Sequence, residues 1–268
     1  MLLVIYRAFF MSQIIVGTSG YYYKDWKGIF YPSGTGQDHF LEYYSRHFRA
    51  VELNFSYYRL PEAKHSWDMI KKSNKKIEFS IKAFRGLTHD ISEDSLGSIT
   101  DLFLDGINPF VEEGLLGAIL LQFPQSFHYT SSNRRYLKSL INRLAAYPLV
   151  VEFRQKEWIR ESVFKTLRDL KTGFVCVDEP SLPSLIPPII KYTSKLGYIR
   201  FHGRNKKNWY GTDSTRRYDY LYSEEELSEW IPRIKEIASH VDKLYVFFNN
   251  HAKAQAPNNA QMLINVLQ

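Results

Sequence analysis

The segment Gly197-Tyr198-Ile199-Arg200-Phe201-His202-Gly203-Arg204 poses a problem that the fold has to solve. Read with the two-residue period of a β-strand, it sets Tyr198, Arg200, His202 and Arg204 on one side and Ile199 and Phe201 on the other. A strand buried on both faces does not carry three cationic or titratable side chains on one of them unless they meet partners there, because an unpaired buried charge is very costly. The rest of the chain must therefore supply acids, an anionic ligand, or both.

Seven other stretches read as strands: Gln13–Val16, Ala50–Asn54, Ile77–Ala83, Leu116–Phe123, Leu149–Phe153, Phe174–Val177 and Leu244–Phe248. Helical patterns lie between most of them. Phe40, Tyr43, Tyr44, His47 and Phe48 keep helical spacing behind a cap at Asp38, and Pro61 suits the first position of a helix carrying Ala63, Trp67 and Ile70. Asp94–Glu113 reads as a helix interrupted at Asn108-Pro109, Ser131 or Ser132 opens another, and Trp158 to Leu170 marks the next. Ser223 and Glu226 form a capping box, with Pro232 expected to kink the helix or to set its true start, and Pro257 opens the closing helix. Pro180, Pro183, Pro187 and Pro188 forbid a full helix before the opening segment, so the sixth helix is expected to be reduced or irregular.

Eight strands alternating with helices, without a linker-like break, predict an α/β fold with a single TIM-type (β/α)8 barrel over residues 13–268. A doubly wound open sheet is the competitor, but Gly17-Thr18-Ser19-Gly20 has the spacing of neither a dinucleotide fingerprint nor a P-loop. Met1–Phe10 is apolar, too short to span a bilayer and followed by Met11; it is expected to be an upstream extension, non-native or disordered, with Met11 the natural start. No stretch resembles a membrane segment. Cys176 is the single cysteine, which rules out an internal disulfide, and the chain is expected in the cytoplasm.

In a barrel of this type the site lies at the C-terminal ends of the strands. Those ends carry Glu52 and Asn54, Lys82, Gln122, Glu152 and Arg154, Asp178, Arg200, His202 and Arg204, and Asn249, Asn250 and His251. Glu52, Glu152 and Asp178 are the expected partners of the opening segment. They are either ion-pair partners packed in a barrel or acid/base groups, and His202 is the expected proton carrier because imidazole titrates near neutrality. The same acids with His202 would be the ligands if a divalent metal bound. No His-x-His, HExxH or cysteine cluster occurs, and Lys82, Arg154 and Arg200 would repel a cation, so no metal or other cofactor is expected.

The formal net charge of +7 favours an anionic small molecule or nucleic acid as partner, and aromatic residues make up 16% of the chain. The stretch from His202 to Tyr222 interleaves Arg204, Lys206, Lys207, Arg216 and Arg217 with Trp209, Tyr210, Tyr218, Tyr220 and Tyr222, a mixture suited to a phosphate plus a stacked ring. Tyr21, Tyr22, Tyr23 and Trp26 would wall the same cleft. The plain alternative for these rings is packing on the barrel rim.

Taken together, Gly17-Thr18-Ser19-Gly20 with Trp26 and Phe30-Tyr31-Pro32, Val51-Glu52-Leu53-Asn54 through Tyr58 and Leu60-Pro61, Lys82-Ala83 and Thr88-His89 resemble the YecE-like family, domain of unknown function family seventy-two. The resemblance continues through Gln122-Phe123-Pro124, Val151-Glu152-Phe153-Arg154 with Trp158, Asp178 with Pro180, Arg200-Phe201-His202-Gly203-Arg204, and Phe247-Phe248-Asn249-Asn250-His251 with Asn259-Ala260. It implies a TIM-type barrel and supplies no reaction. The functional expectation is therefore a polar cleft that binds or hydrolyses a phosphate-containing or nucleic-acid-like ligand. In it Arg200, Arg204 and Lys82 hold the anion, with Arg154, Asn54, Gln122, Asn249, Asn250, Tyr21, Trp26 and Tyr218 around it. The alternatives are a glycosidase-like enzyme using paired carboxylates and a non-catalytic binding protein.

Overall fold

The computed structural model describes residues 12–211 and 214–268; the expectations for Met1–Phe10 and for a start at Met11 lie outside them. Eight parallel strands close into a barrel in sequence order, with β8 pairing back onto β1. They are β1 Gln13–Ser19, β2 Ala50–Leu53, β3 Glu78–Lys82, β4 Leu116–Gln122, β5 Leu149–Glu152, β6 Gly173–Asp178, β7 Leu196–Phe201 and β8 Lys243–Phe248. The (β/α)8 architecture expected from the alternation of patterns is the one observed. Strand residues are buried almost throughout because helices cover the outer face while side chains fill the interior.

Register fixes which residues point inward. Val177 of β6 pairs with Arg200 of β7, which pairs with Phe247 of β8, so these three share the interior face. Two residues earlier on their strands the rings of Tyr198 and Tyr245 pack beneath Phe247 and fill the barrel. Gly17 is required beside them, because a Cβ there would lie 2.2 Å from the carbonyl oxygen of Ala50.

Between β6 and β7 residues 179–195 form no helix. The helix Leu96–Glu112 runs unbroken through Pro109, against the expected interruption, with the proline in its last turn. Pro61 precedes its helix instead of opening it. Glu62 is extended and the helix is Ala63–Lys72. Asp38 falls in a 3-10 turn, Gln37–His39, and does not cap the helix Phe40–His47. The capping box forms as expected, Ser223 and Glu226 each bonding the other's backbone N–H, and the segment divides into Glu224–Ser228 and Ile231–Ala238 with Pro232 in the first turn of the second.

Candidate functional site

The interior positions at the C-terminal end of the barrel hold a chain of buried charges. Arg200 is 2% exposed and donates from Nη2 to Glu52 Oε1 at 2.7 Å and from Nη1 to Glu152 Oε2 at 2.6 Å. Glu52 also accepts from Ser19 at 2.6 Å and from the Tyr198 hydroxyl at 2.7 Å. Glu152 Oε1 lies 2.7 Å from Arg154 Nε and 3.3 Å from His202 Nε2. Arg154 reaches on to Glu179 Oε2 at 2.9 Å, and Asn249 Nδ2 lies 3.1 Å from His202 Nδ1. Within the opening segment Arg200 and His202 thus find their acids in Glu52 and Glu152, while Arg204 finds Asp178, each on a different strand.

The electrostatics follow from that wiring. Burial raises the carboxyl pKa of Glu152, but Arg154, Arg200 and His202 together outweigh it and hold it well below the usual range. Burial and the Arg154 guanidinium lower His202 to about 3, so its imidazole is neutral. The expected proton carrier is thus moved away from neutrality first by burial and then by the cation beside it. Glu179 is raised to about 7, chiefly by burial, with Arg154 opposing and Glu152 adding to the rise.

Asp178 belongs elsewhere. It pairs with Phe201, on the outward face of β6 and β7, and receives Arg204 at 2.9–3.2 Å, the Tyr222 hydroxyl at 2.7 Å and Trp230 Nε1 at 2.7 Å. Arg204 continues to Glu226 at 3.2 Å and Glu229 at 3.1 Å. Arg204 departs from the side of Arg200 because the strand ends at Phe201 and Gly203 takes φ +87°, a left-handed conformation that redirects the chain. Asp178 and Arg204 therefore clamp the barrel to its helical layer and do not face Glu52 and Glu152. Asn250 is likewise occupied, donating to Tyr220 O and Asn259 Oδ1, both at 2.8 Å.

Above the charge chain opens a cavity of about 870 Å³. Strand-end residues Lys82, Arg154, Arg200, Asn54, Gln122 and Asn249 form its base; Tyr23, Tyr57, Tyr58, Trp209, Tyr210 and Tyr218 supply rings to its walls, with His89, His251 and Arg217. Seven of the expected ligand contacts line it: Lys82, Arg154, Arg200, Asn54, Gln122, Asn249 and Tyr218. Trp26 and Tyr21 do not. Trp26 is fully buried under the rim with Nε1 on the His251 carbonyl at 2.6 Å, and Tyr21 packs edge-on to Tyr22 while its carbonyl accepts from Tyr31. Tyr23 takes the rim position instead, stacked on His251 at 4.6 Å.

Lys82 differs from its neighbours. Among the described residues it makes no ion pair, and its Nζ lies 4.3 Å over the Tyr57 ring. Burial and then the charge of Arg200 lower it to about 7, against weaker support from Glu152 and Glu52. His89, beside it, is lowered to about 4 by burial and by Lys82. Arg200 Nε and Asn54 Oδ1, on lining residues, are buried without hydrogen-bond partners. The only carboxylate on the described lining is Asp25, whose Oδ2 accepts the Lys253 N–H at 2.7 Å.

Glu52 and Glu152 lie behind Arg200, fully buried and off the lining, so the paired carboxylates that a glycosidase mechanism needs do not reach the cavity. Among the described residues no group of three or more His, Cys, Asp or Glu side chains is gathered closely enough to hold a metal ion. Nor is any described helix long and apolar enough to cross a membrane.

Tyr57 and His89, on the lining, and Glu179, bonded to Arg154 behind it, are absent from the expected site residues. Glu179 continues the inward alternation Val175, Val177, Glu179 that the pairing with Arg200 dictates, whereas Asp178 is out of phase with it.

The chain matches the family described as "Protein of unknown function DUF72" over residues 15–268. It is 29% identical over 270 residues to the UPF0759 protein YunF of Bacillus subtilis (strain 168), covering 95% of each chain. A DUF72 family protein from Thermotoga maritima is 39% identical with a TM-score of 0.89, over 95% of this chain and 99% of that one. A DUF72 family protein from Enterococcus faecalis, 24% identical with a TM-score of 0.84 over 95% of each chain, shares the fold.

Proposed function

We propose that this chain, which belongs to the DUF72 family of proteins of unknown function, uses the cavity at its barrel mouth to bind a small phosphate-bearing molecule that also presents a ring. The observation that carries the reading is Lys82: a cation at the base of the cavity with no ion pair among the described residues, next to the unpartnered Arg200 Nε and flanked by Arg154. A charge so placed is held at a cost that an anion would relieve. Among the described lining residues Lys82, Arg154, Arg200 and Arg217 face the space against Asp25 alone, which favours an anion of more than one charge.

The walls define the rest of the ligand. Tyr57, Tyr58, Trp209, Tyr210 and Tyr218 offer faces and edges for stacking. The volume is in the range of pockets that enclose one small molecule, which fits a nucleotide or sugar phosphate and not a duplex. Arg200 plays two parts, since the two carboxylates behind it fix its guanidinium in place and leave Nε for the ligand. Asn54, Gln122 and Asn249 supply neutral donors and acceptors at the same level.

Isothermal titration with inorganic phosphate, ribose 5-phosphate and ribose tests the reading. Binding of both phosphorylated probes, with the sugar phosphate tighter and ribose silent, supports it; ribose binding as well as ribose 5-phosphate would remove the anion from the argument.

A further inference from the structure

Resting on the reading of the cavity as a phosphate-binding site, we propose that Lys82 is a covalent nucleophile that condenses with the aldehyde or ketone of a phosphorylated carbonyl compound to form a protonated imine. The argument begins with position. Lys82 is the last residue of β3, so its Cα is fixed by the barrel and its amine reaches the base of a cavity large enough for a sugar phosphate. Every other cation at that base is a guanidinium, which stays protonated and does not add to carbonyls. Arg154 and Arg200 are also committed to Glu152, Glu179 and Glu52, while Lys82 contacts only the Tyr57 ring face as a charge partner. The structure thus separates the groups that can hold an anion from the one amine that can react.

The environment supports the chemistry. A lysine is nucleophilic only when its amine is free, and desolvation beside another cation is one of the ways by which enzymes free it. Both conditions hold at Lys82, with burial as the larger cause and Arg200 as the second, and they bring its pKa to about 7. The charged or titratable groups around it are Arg200, Glu152, Glu52, Arg154, His89 and Tyr57.

The step balances without a further reactant. The ammonium gives one proton to a relay, and the neutral nitrogen adds to the carbonyl carbon. A C–N bond forms, and the carbonyl π pair moves to oxygen. The resulting carbinolamine loses its oxygen as water and leaves a C=N double bond with one hydrogen on nitrogen. Of the three ammonium hydrogens one remains and two depart in the water; the net charge stays at plus one and nothing is oxidised or reduced. His89 suits the relay. It lines the same cavity, its Nδ1 lies 2.9 Å from Thr88 Oγ1, its ring meets Tyr57 edge-on, and Nε2 has no protein partner among the described residues.

The test is reductive trapping. Wild-type protein is incubated at pH 7 with glycolaldehyde phosphate and sodium cyanoborohydride, and the modified lysines are located by peptide mass mapping. Lys82 is expected to be modified on the order of 10²- to 10³-fold faster than a lysine side chain free in water, following the difference in free-amine fraction, with the exposed Lys64 and Lys71 as internal controls. Inorganic phosphate should protect Lys82 and not the surface lysines, and glycolaldehyde without phosphate should label it less selectively. Phosphate binding to the wild-type protein is measured separately by calorimetry. Modification of Lys82 no faster than of Lys64 overturns the proposal. If phosphate binds wild type while Lys82 stays unmodified, the anion site stands and the covalent step falls; if phosphate does not bind either, both fall.

Discussion

Replacing Lys82 by methionine should make the unliganded protein more stable, by an amount that depends on pH in a way few other substitutions would reproduce. The lysine's pKa falls from its usual 10.5 to about 7 on folding. At about 1.4 kcal/mol per unit, the charged form costs the folded state up to about 5 kcal/mol. Part of the side chain remains open to the cavity, where solvent screens it, so this figure is an upper bound. The sign follows from proton counting. Between pH 7 and 10.5 the unfolded chain holds a proton that the folded protein has released, so wild-type stability rises with pH across that window. Below about pH 7 both states are protonated and the full cost is present.

Methionine has a similar length and no charge, and gives up only the ammonium's contact with Tyr57, worth about 0.5–2 kcal/mol. The stability of Lys82→Met relative to wild type should therefore be greatest at pH 6–7, at up to about 3–4.5 kcal/mol, and shrink towards zero by pH 10.5. Arg200, Arg154, Glu52, Glu152 and His89 face the position in both proteins and largely cancel in the difference. Urea unfolding followed by tryptophan fluorescence at pH 6, 7, 8.5 and 10 measures it. A difference that is constant over that range, or a variant less stable than wild type at pH 6, would refute the claim that Lys82 is a charge held at a cost.

Three further outcomes separate the charge chain from the outer clamp. Arg200→Met should destabilise by about 3–5 kcal/mol in chemical unfolding, because Glu52 and Glu152 lose the guanidinium that neutralises both. Asp178→Asn should cost about 2–4 kcal/mol through the loss of its pairing with Arg204, yet leave phosphate affinity of the folded protein unchanged in calorimetry, since it faces the helical layer. Gly106→Ala should lower the thermal midpoint, a cost of about 1–3 kcal/mol or more, because the added methyl would meet the Pro61 carbonyl oxygen at 2.0 Å.

The barrel was legible in the sequence because it rests on periodicities that every strand and most helices carry. The opening segment also announced its need for acids, and Glu52 and Glu152 answer it at Arg200 and Asp178 at Arg204. Phase within a strand was harder to read. Asp178 and Glu179 are adjacent acids at the end of β6, and only the pairing of Val177 with Arg200 reveals that Glu179 faces inward and Asp178 outward. Arg204 was misplaced for a related reason. Alternation carries it to the side of Arg200, but Gly203 takes a left-handed conformation that ends the strand period. The roles of His202 and Lys82 exchange because a pKa depends on what surrounds a group in space. Burial and then Arg154 suppress the imidazole, while burial and then Arg200 lower the lysine, which has no carboxylate of its own. The walls came from loops, where no period applies, so Tyr57 and His89 entered the cavity without a positional signal of their own.

The central claim, that Lys82 is the charge an anion completes, is tested most directly by the pH dependence of sulfate binding, because sulfate keeps its charge from pH 6 to 9. Bound sulfate should raise the Lys82 pKa, so wild-type affinity should be flat below about pH 7 and then fall by up to about tenfold per unit above it. Glu179, which titrates near 7 beside Arg154, adds a dependence of its own that persists in Lys82→Met, so the difference between the two proteins isolates the lysine. The account predicts tighter binding and the steeper profile in wild type; equal affinity and parallel profiles in the two proteins would contradict it.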